Sequence, residues 1–187
     1  MTGHTVPALT AITGGSGSIG LATAQALLEA DRDAAVVLLD LQPGDAAGEL
    51  LGAEPERAHF VACDVTSPEA VAAAFARIDE IGPLSGLVYA AGLVDNSDST
   101  ELEFERWRAV LAVNLDGAFL TLQGAARDMV AREEGGSLVG TASLAALSGQ
   151  PRGQHYAASK GGLIAMVNSC AVELARYGIR GNSILPG

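Results

Sequence analysis

The sequence predicts a doubly wound α/β domain, in which helices cover both faces of a parallel sheet of about six strands. Short apolar runs alternate with stretches of helical periodicity along the whole chain. The short runs are apolar on both faces, as strands buried between two helical layers are. No linker, internal repeat or low-complexity tract interrupts the alternation, so residues 1–187 are expected to form a single domain.

The elements follow one another in a regular order. The predicted strands cover 8–13, 34–39, 59–62, 87–90 and 137–141, and a sixth begins at 182. The predicted helices cover 18–31, 69–81, most of 100–132, and 153–177. The helix over 69–81 has the clearest start, because Ser67 can cap it, Pro68 suits its first turn, and Glu69 lies near the positive end of its dipole.

The charge balance excludes several classes of function. Eleven Lys and Arg against 22 Asp and Glu give a formal net charge of −11. This excess of acid argues against binding to nucleic acid and to an anionic membrane, since both need clustered basic side chains. A hydrophobic content of 49% with 18% charged residues excludes a disordered chain and is sufficient for a core.

Targeting and metal-binding patterns are missing from the sequence. The N-terminus has no basic region ahead of an apolar run, and no apolar stretch reaches the roughly 18 residues that a membrane span needs. Cys63 and Cys170 are far apart, which suits a reducing compartment. The histidines His4, His59 and His155 are scattered, so we expect no metal site. Because no targeting or membrane segment is visible, we expect a cytoplasmic protein.

A glycine-rich turn separates the first strand from the first helix. Residues 13–20 read TGGSGSIG, and Gly15-x-Gly17-x-x-Gly20 matches a dinucleotide-binding pattern in the position that this pattern requires. A plain tight turn is the alternative. The residues that we expect to contact the cofactor in this turn are Gly14, Ser16, Gly17, Ser18, Ile19 and Gly20.

An acid at the end of the second strand indicates which dinucleotide binds. Asp40 lies about 20 residues after the last glycine, where a carboxylate can accept hydrogen bonds from ribose hydroxyls and repel a 2′-phosphate. Leu41 follows it rather than a basic residue, so NAD is favoured over NADP. Asp64, after the third strand, could hold the adenine amino group, although a capping role at Asp40 and an ordinary loop role at Asp64 stay open.

The only lysine stands beside a tyrosine at helical spacing. Ten of the eleven basic residues are arginine and the other is Lys160. Tyr156 precedes it by four residues, so the two side chains share one helix face. A phenol needs a nearby positive charge to act as a base near neutral pH. Ser143 follows the fifth strand and could hold a substrate oxygen, whereas a core tyrosine and a surface lysine are the alternatives.

Taken in order, these motifs resemble the short-chain dehydrogenase/reductase family, which has a Rossmann fold. The matching stretches are TGGSGSIG (13–20), CDVTS (63–67), YAAG (89–92), VNLDGAF (113–119) and the closing PG, with Ser143 thirteen residues before a YxxxK motif. The resemblance covers almost the whole chain. It implies an NAD-dependent oxidoreductase that moves a hydride between the cofactor and an alcohol or carbonyl substrate.

The resemblance also implies a role for each site residue. Tyr156 would exchange a proton with the substrate oxygen, and Lys160 would favour its phenolate form and bind the nicotinamide ribose. Ser143 would orient the substrate, and Asn114 would hold a water that links Lys160 to solvent. Further implied cofactor contacts are Asp40, Leu41, Asp64, Val65, Ala91, Gly92, Tyr156, Pro186 and Gly187. The long helix around 104–130 would pair with its copy in a homodimer or homotetramer.

The chain departs from the family pattern in three places. Ser18 stands where the second glycine is usual, and Tyr89 and Ala90 replace both asparagines of the family's NNAG. The sequence stops at Pro186-Gly187, so the C-terminal lid and the last strand of the family are expected to be absent from these 187 residues. The second hypothesis is therefore a catalytically inactive NAD-binding regulator or sensor.

Overall fold

The sheet contains six strands that all run parallel. The structure, a computed structural model, describes residues 8–187. Its strands are β1 (Leu9–Thr13), β2 (Ala35–Asp40), β3 (Ala58–Ala62), β4 (Leu84–Tyr89), β5 (Gly136–Thr141) and β6 (Ile179–Ile184). They lie in the order β3-β2-β1-β4-β5-β6, so the chain reverses its direction of winding between β1 and β4. The predicted doubly wound α/β fold is confirmed.

Seven helices connect the strands within the described residues. They are α1 (Ser18–Ala30), α2 (Gly44–Ala53), α3 (Pro68–Ile81), α4 (Phe104–Leu111), α5 (Gly117–Arg132), α6 (Ala145–Ser148) and α7 (Gln154–Leu174). The helix α3 begins as predicted, with the Ser67 hydroxyl accepting the Ala70 N–H at 3.1 Å. The helices α2 and α6 were not predicted, and α2 buries only Ala47, which leaves little apolar periodicity to detect.

Alternation along the strands divides the core into two clusters. Along β2, Val36 and Leu38 face one side and pack with α1 and α2. Val37 and Leu39 face the other side, in the larger cluster with α3, α5 and α7. Successive side chains of a strand point to opposite faces, so a strand covered on both sides must be apolar throughout.

Two strands begin three residues earlier than predicted. Strand β4 starts at Leu84 rather than at 87, although the preceding Pro83 and the following Ser85-Gly86 look like a turn. Parallel pairing with β1 and a hydrogen bond from the Ser85 hydroxyl to the Leu9 carbonyl hold this start in the sheet. Strand β6 starts at Ile179, which is buried.

The long helical segment Phe104–Arg132 contains a wider turn. Residues Ala112–Asp116 form a π-helical turn between α4 and α5. By length and composition alone, the whole segment could cross a membrane. Ala118, Leu122 and Met129 are nevertheless fully or almost fully buried against the sheet, so the segment is a core helix of this fold.

Candidate active site

Two adjoining cavities open at the carboxyl edge of the sheet, where all the parallel strands end. The first cavity, of about 350 Å³, lies beyond β1 to β4, and the second, also about 350 Å³, lies beyond β4 to β6 at the start of α7. Ala90 and Gly92 border both. The residues expected to carry chemistry follow these strand ends, so the topology alone gathers them here.

The glycine turn is shaped by close contacts between backbone segments. Gly14 has φ +62°, and a Cβ on it would lie 2.7 Å from the backbone nitrogen of Ala91. A Cβ on Gly20 would lie 2.2 Å from the Gly14 carbonyl oxygen. Gly17 precedes α1 and supplies no side-chain cap, so the first N–H groups of that helix have no side-chain partner there. The turn therefore presents backbone donors beside the first cavity, as an anion site requires.

The serines of the glycine turn lie differently from the expectation. The Ser16 N–H donates to a carboxylate oxygen of Asp40 at 3.0 Å, and its hydroxyl donates to the Gln42 carbonyl. Ser18 is exposed as the first residue of α1, and neither serine lines the first cavity. Ile19 lines the second cavity rather than the first. Ser16 thus binds strand β2, a contact that the sequence pattern does not reveal.

Two acidic side chains, Asp40 and Asp64, line the first cavity. Asp40 is held by the N–H of Ser16 and by its neighbour Leu41, whose N–H donates at 2.8 Å. Asp64 accepts the Thr66 hydroxyl at 2.7 Å and the Thr66 N–H at 2.9 Å. These hydrogen bonds hold the pKa of Asp64 below its usual value, and the bond from the Thr66 hydroxyl contributes most. Among the described residues, no Lys or Arg lines this cavity.

A buried threonine joins the ends of β1 and β4. The Thr13 hydroxyl oxygen accepts the N–H of Ala90 at 3.1 Å and that of Ala91 at 3.2 Å. This side chain is fully buried and fixes the bend after β4 against the glycine turn. This role cannot be predicted from the sequence, because a threonine that ends a strand carries no distinctive signal.

Lys160 and Tyr156 meet at the second cavity. Lys160 is only 4% exposed, and its ammonium donates to the Thr141 carbonyl at 2.8 Å. Burial lowers the pKa of Lys160 to about 8. Its Nζ lies 5.8 Å from the centroid of the Tyr156 ring. Ser143 lines the same cavity, and its hydroxyl oxygen accepts the Ala145 N–H at 3.2 Å. The alternatives of a core tyrosine and a surface lysine do not fit this arrangement.

Asn114 lies beneath the site rather than on its wall. It is fully buried, and its amide oxygen accepts the Leu93 N–H at 2.7 Å. Its amide nitrogen donates to the Leu93 carbonyl and to the Ser159 hydroxyl oxygen, each at 3.0 Å. The Ser159 hydroxyl donates in turn to the Tyr156 carbonyl at 2.7 Å. Asn114 therefore joins the segment after β4 to α7, and sequence reasoning missed both Leu93 and Ser159.

A second polar link holds the same segment beside α7. The Asp95 carboxylate pairs with Arg106, whose Nε lies 2.8 Å away, and with His155 Nε2 at 3.2 Å. The hydrogen bonds from Arg106 are the largest cause that holds the pKa of Asp95 below its usual value. His155 is fully buried and lines neither cavity. His59 lies on β3 and His4 falls outside the described residues.

Comparison with known proteins identifies the family. The model of the short chain dehydrogenase family matches residues 8–187. The chain belongs to the short-chain dehydrogenase family. It is 36% identical over 188 residues to galactitol 2-dehydrogenase (L-tagatose-forming) of Cereibacter sphaeroides, covering 96% of this chain and 70% of that protein. It is 35% identical over 187 residues to L-rhamnose 1-dehydrogenase (NAD(P)(+)) of Azotobacter vinelandii, covering 94% and 71%.

A solved structure of another short-chain dehydrogenase has the same fold. The gluconate 5-dehydrogenase from Burkholderia cenocepacia J2315, in complex with NADP and tartrate, matches with a TM-score of 0.88 and 32% identity. The match covers 96% of this chain and 71% of that one. The resemblance to this family of oxidoreductases is therefore confirmed. One of these proteins is named for NAD(P)(+) and another was solved with NADP, so the match to this family does not choose between NAD and NADP.

Proposed function

We propose that this chain is an NAD-dependent dehydrogenase or reductase that interconverts an alcohol and a carbonyl compound, with Tyr156 as general acid and base. The observation that carries the proposal is the pair of adjoining cavities. Tyr156, Lys160 and Ser143 line one, and Asp40 lines the other. An inactive NAD-binding regulator would have no use for a buried ammonium beside a tyrosine at a cavity wall.

The residues around the first cavity fit a dinucleotide. A Cβ on Gly14 or Gly20 would collide with backbone, so these glycines let the turn pack closely against the segment after β4 and against α1, whose first N–H groups a phosphate could accept. We propose that the cofactor is held by Gly14, Gly17, Ile19, Asp40, Leu41, Asp64, Val65, Ala91, Gly92, Tyr156, Lys160, Pro186 and Gly187. When bound, its nicotinamide would supply the hydride donor or acceptor that no side chain can supply.

The proposed choice of NAD depends on charge. The hydrogen bonds from Ser16 and Leu41 fix both oxygens of the Asp40 carboxylate at the first cavity. A 2′-phosphate there would meet this carboxylate, and none of the lining residues in 8–187 supplies a cation to balance it. The ribose hydroxyls of NAD can instead donate hydrogen bonds to the carboxylate.

The proton chemistry is proposed for three side chains at the second cavity. Tyr156 would give a proton to the substrate oxygen in reduction and accept it in oxidation. The Lys160 ammonium, held by the Thr141 carbonyl, would favour the phenolate through its charge. The Ser143 hydroxyl would donate a hydrogen bond to the same substrate oxygen and so orient it. Asn114 would position the surrounding backbone, and a water bound beside Lys160 is the further role that the resemblance implies.

A small hydroxylated compound is the proposed substrate. The relatives are named for galactitol and L-rhamnose. The second cavity combines polar Gln150 and Ser143 with apolar Val94 and Ile19. The test is cofactor reduction by the purified chain with galactitol, L-rhamnose and gluconate, each offered with NAD and with NADP. Turnover with NAD supports the proposal, and calorimetric binding of NADP in preference to NAD would contradict the assigned cofactor.

We also propose a cytoplasmic homodimer or homotetramer. Phe119 on α5 is 49% exposed and Val172 on α7 is 83% exposed, and such large apolar side chains favour contact with another subunit. Light scattering on the purified protein tests this proposal, and a monomer at micromolar concentration would contradict it.

A further inference from the structure

The hydroxyl of Tyr89 binds the backbone of the π-helical turn. Tyr89 ends β4, is 0% exposed, and donates a hydrogen bond to the Val113 carbonyl. In a regular α-helix that carbonyl would accept the N–H of Gly117, four residues ahead. Here the Gly117 N–H bonds to Ala112, five residues back. The Val113 carbonyl thus loses its usual partner, and Tyr89 supplies another.

Gly117 leaves the space that this contact needs. A Cβ on Gly117 would lie 2.9 Å from the Tyr89 hydroxyl oxygen and 2.9 Å from Cγ2 of Val65. Burial raises the pKa of Tyr89, so the hydroxyl keeps its proton and remains a donor. Tyr89 also stands where the family's NNAG pattern has an asparagine, and that shorter side chain does not have the reach of a tyrosine. The contact is therefore a feature of this chain's own residues.

The residue that follows Val113 is Asn114. The π-helical turn sets the direction in which the Asn114 side chain leaves the helix, since one extra residue in a turn rotates its neighbours about the helix axis. From there the Asn114 amide reaches Leu93 and Ser159. A Cβ on Gly92 would lie 3.5 Å from Lys160 Nζ and 3.6 Å from the Asn114 amide oxygen, so both groups face one small space.

We propose that Tyr89 is a positioning residue, which holds the π-helical turn in register and so directs the Asn114 amide toward Leu93 and Ser159. The structural link from Tyr89 to Asn114 rests on the bond to the Val113 carbonyl and on the position of Gly117. Its effect on turnover rests on the proposed function, because Tyr89 touches no reacting group and acts through Asn114.

Hydrogen exchange tests the structural link without any activity. In Tyr89→Phe the Val113 carbonyl loses the hydrogen bond that Tyr89 donates, so we expect faster amide exchange in residues 90–96 and 111–118. Ser85→Ala is the matched control, since it removes a hydroxyl bond to a backbone carbonyl at the other end of β4. It should leave both segments unchanged. Exchange over 90–96 that is the same in Tyr89→Phe as in the wild type would overturn the proposal.

A double-mutant cycle tests the effect on turnover. We expect Tyr89→Phe to lower kcat about tenfold and to change the KM for NAD less than this, because the hydrogen bonds that fix the Asp40 carboxylate are untouched. In an Asn114→Ala background the same change should cost less than about twofold, since the residue through which Tyr89 acts is gone. Additive losses would overturn the proposal.

Two further outcomes must be distinguished from a failure of the Tyr89 link: an inactive wild type and a variant that does not fold. If the wild type shows no turnover with any tested compound, the proposed function fails and the exchange experiment decides the structural link alone. If Tyr89→Phe does not fold, Gly117→Ala tests the same contact, because its methyl group would displace the Tyr89 hydroxyl. Faster exchange over 90–96 in Gly117→Ala supports the link, and unchanged exchange contradicts it.

Discussion

At the scale of single residues, the Lys160 charge that we propose for the site also costs the folded state stability. Its charge lies 96% out of solvent with one carbonyl as its hydrogen-bond acceptor. Burial lowers the pKa of Lys160 from its usual 10.5 to about 8. A lowered lysine pKa means that the folded state binds this proton less tightly than the unfolded state does, so the charged form destabilises the fold.

Replacing Lys160 by methionine is therefore expected to stabilise the protein near neutral pH. Below pH 8 both folded and unfolded states carry the charge, and its burial costs on the order of 1–3 kcal/mol. From pH 8 to 10.5 the folded state is neutral while the unfolded state still binds the proton, so wild-type stability rises with pH and the advantage of Lys160→Met shrinks. Urea unfolding at pH 7 and 10 measures the difference. If the stability gained in Lys160→Met instead grew with pH, the pKa of Lys160 would not be lowered by folding.

Asp40 offers a second prediction at this scale. Asp40→Asn keeps an acceptor for the Ser16 N–H but removes the negative charge, so we expect NADP affinity to rise at least about tenfold while NAD affinity falls only a few-fold. Calorimetric titration with both cofactors measures this. The control is Asp45→Asn, an exposed acid on α2 that does not line the first cavity. Unchanged NADP affinity in Asp40→Asn would mean that another group excludes the 2′-phosphate.

At the scale of elements, the segment between β4 and α4 is held to α7 by two polar links. Asn114 binds it at Leu93, and the Asp95 carboxylate binds Arg106 and His155. Val94, between these two points, lines the second cavity. The links therefore fix one wall of the site that we propose for the substrate.

Loosening the Asp95 link is expected to affect substrate binding more than chemistry. Asp95→Asn weakens the pairing with Arg106 and His155, so we expect the KM for the substrate to rise about three- to tenfold while kcat changes less than about twofold. Steady-state kinetics measure both constants. Asp98→Asn is the control, because the Asp98–Arg152 pair in the same segment is exposed and weak. A fall in kcat at constant KM would show that Asp95 acts on the reacting groups instead.

Sequence reasoning succeeded where a signal lies within one element or at its end. The spacing of Tyr156 and Lys160, the cap of α3 and the acid that ends β2 are all local, and the structure brings them where the pattern predicts. It missed contacts between distant residues. The bond from Tyr89 to Val113 and the pairing of His155 with Asp95 join residues 24 and 60 positions apart. The π-helical turn has no sequence signature either, and we propose that its register depends on that tertiary contact.

At the scale of the whole molecule, parallel winding assembles the site. Every strand ends at the same edge, so one sheet brings together the glycine turn after β1, the acid that ends β2, the acid after β3, and Ser143 after β5. Helices on both faces bury the sheet and leave that edge open. Residues scattered over more than 170 positions thus line two adjoining cavities.

The proposed function depends on Tyr156 exchanging the proton in an NAD-linked oxidoreduction. The most direct measurement is the rate of NAD reduction by the wild type and Tyr156→Phe, with the substrate that gives wild-type turnover and with NAD affinity measured by calorimetry. Tyr177→Phe is the matched control, since Tyr177 lines neither cavity. We predict that Tyr156→Phe loses at least about a thousandfold in rate while its NAD affinity stays within about threefold, and that Tyr177→Phe keeps both. Full turnover by Tyr156→Phe would show that Tyr156 does not exchange the proton.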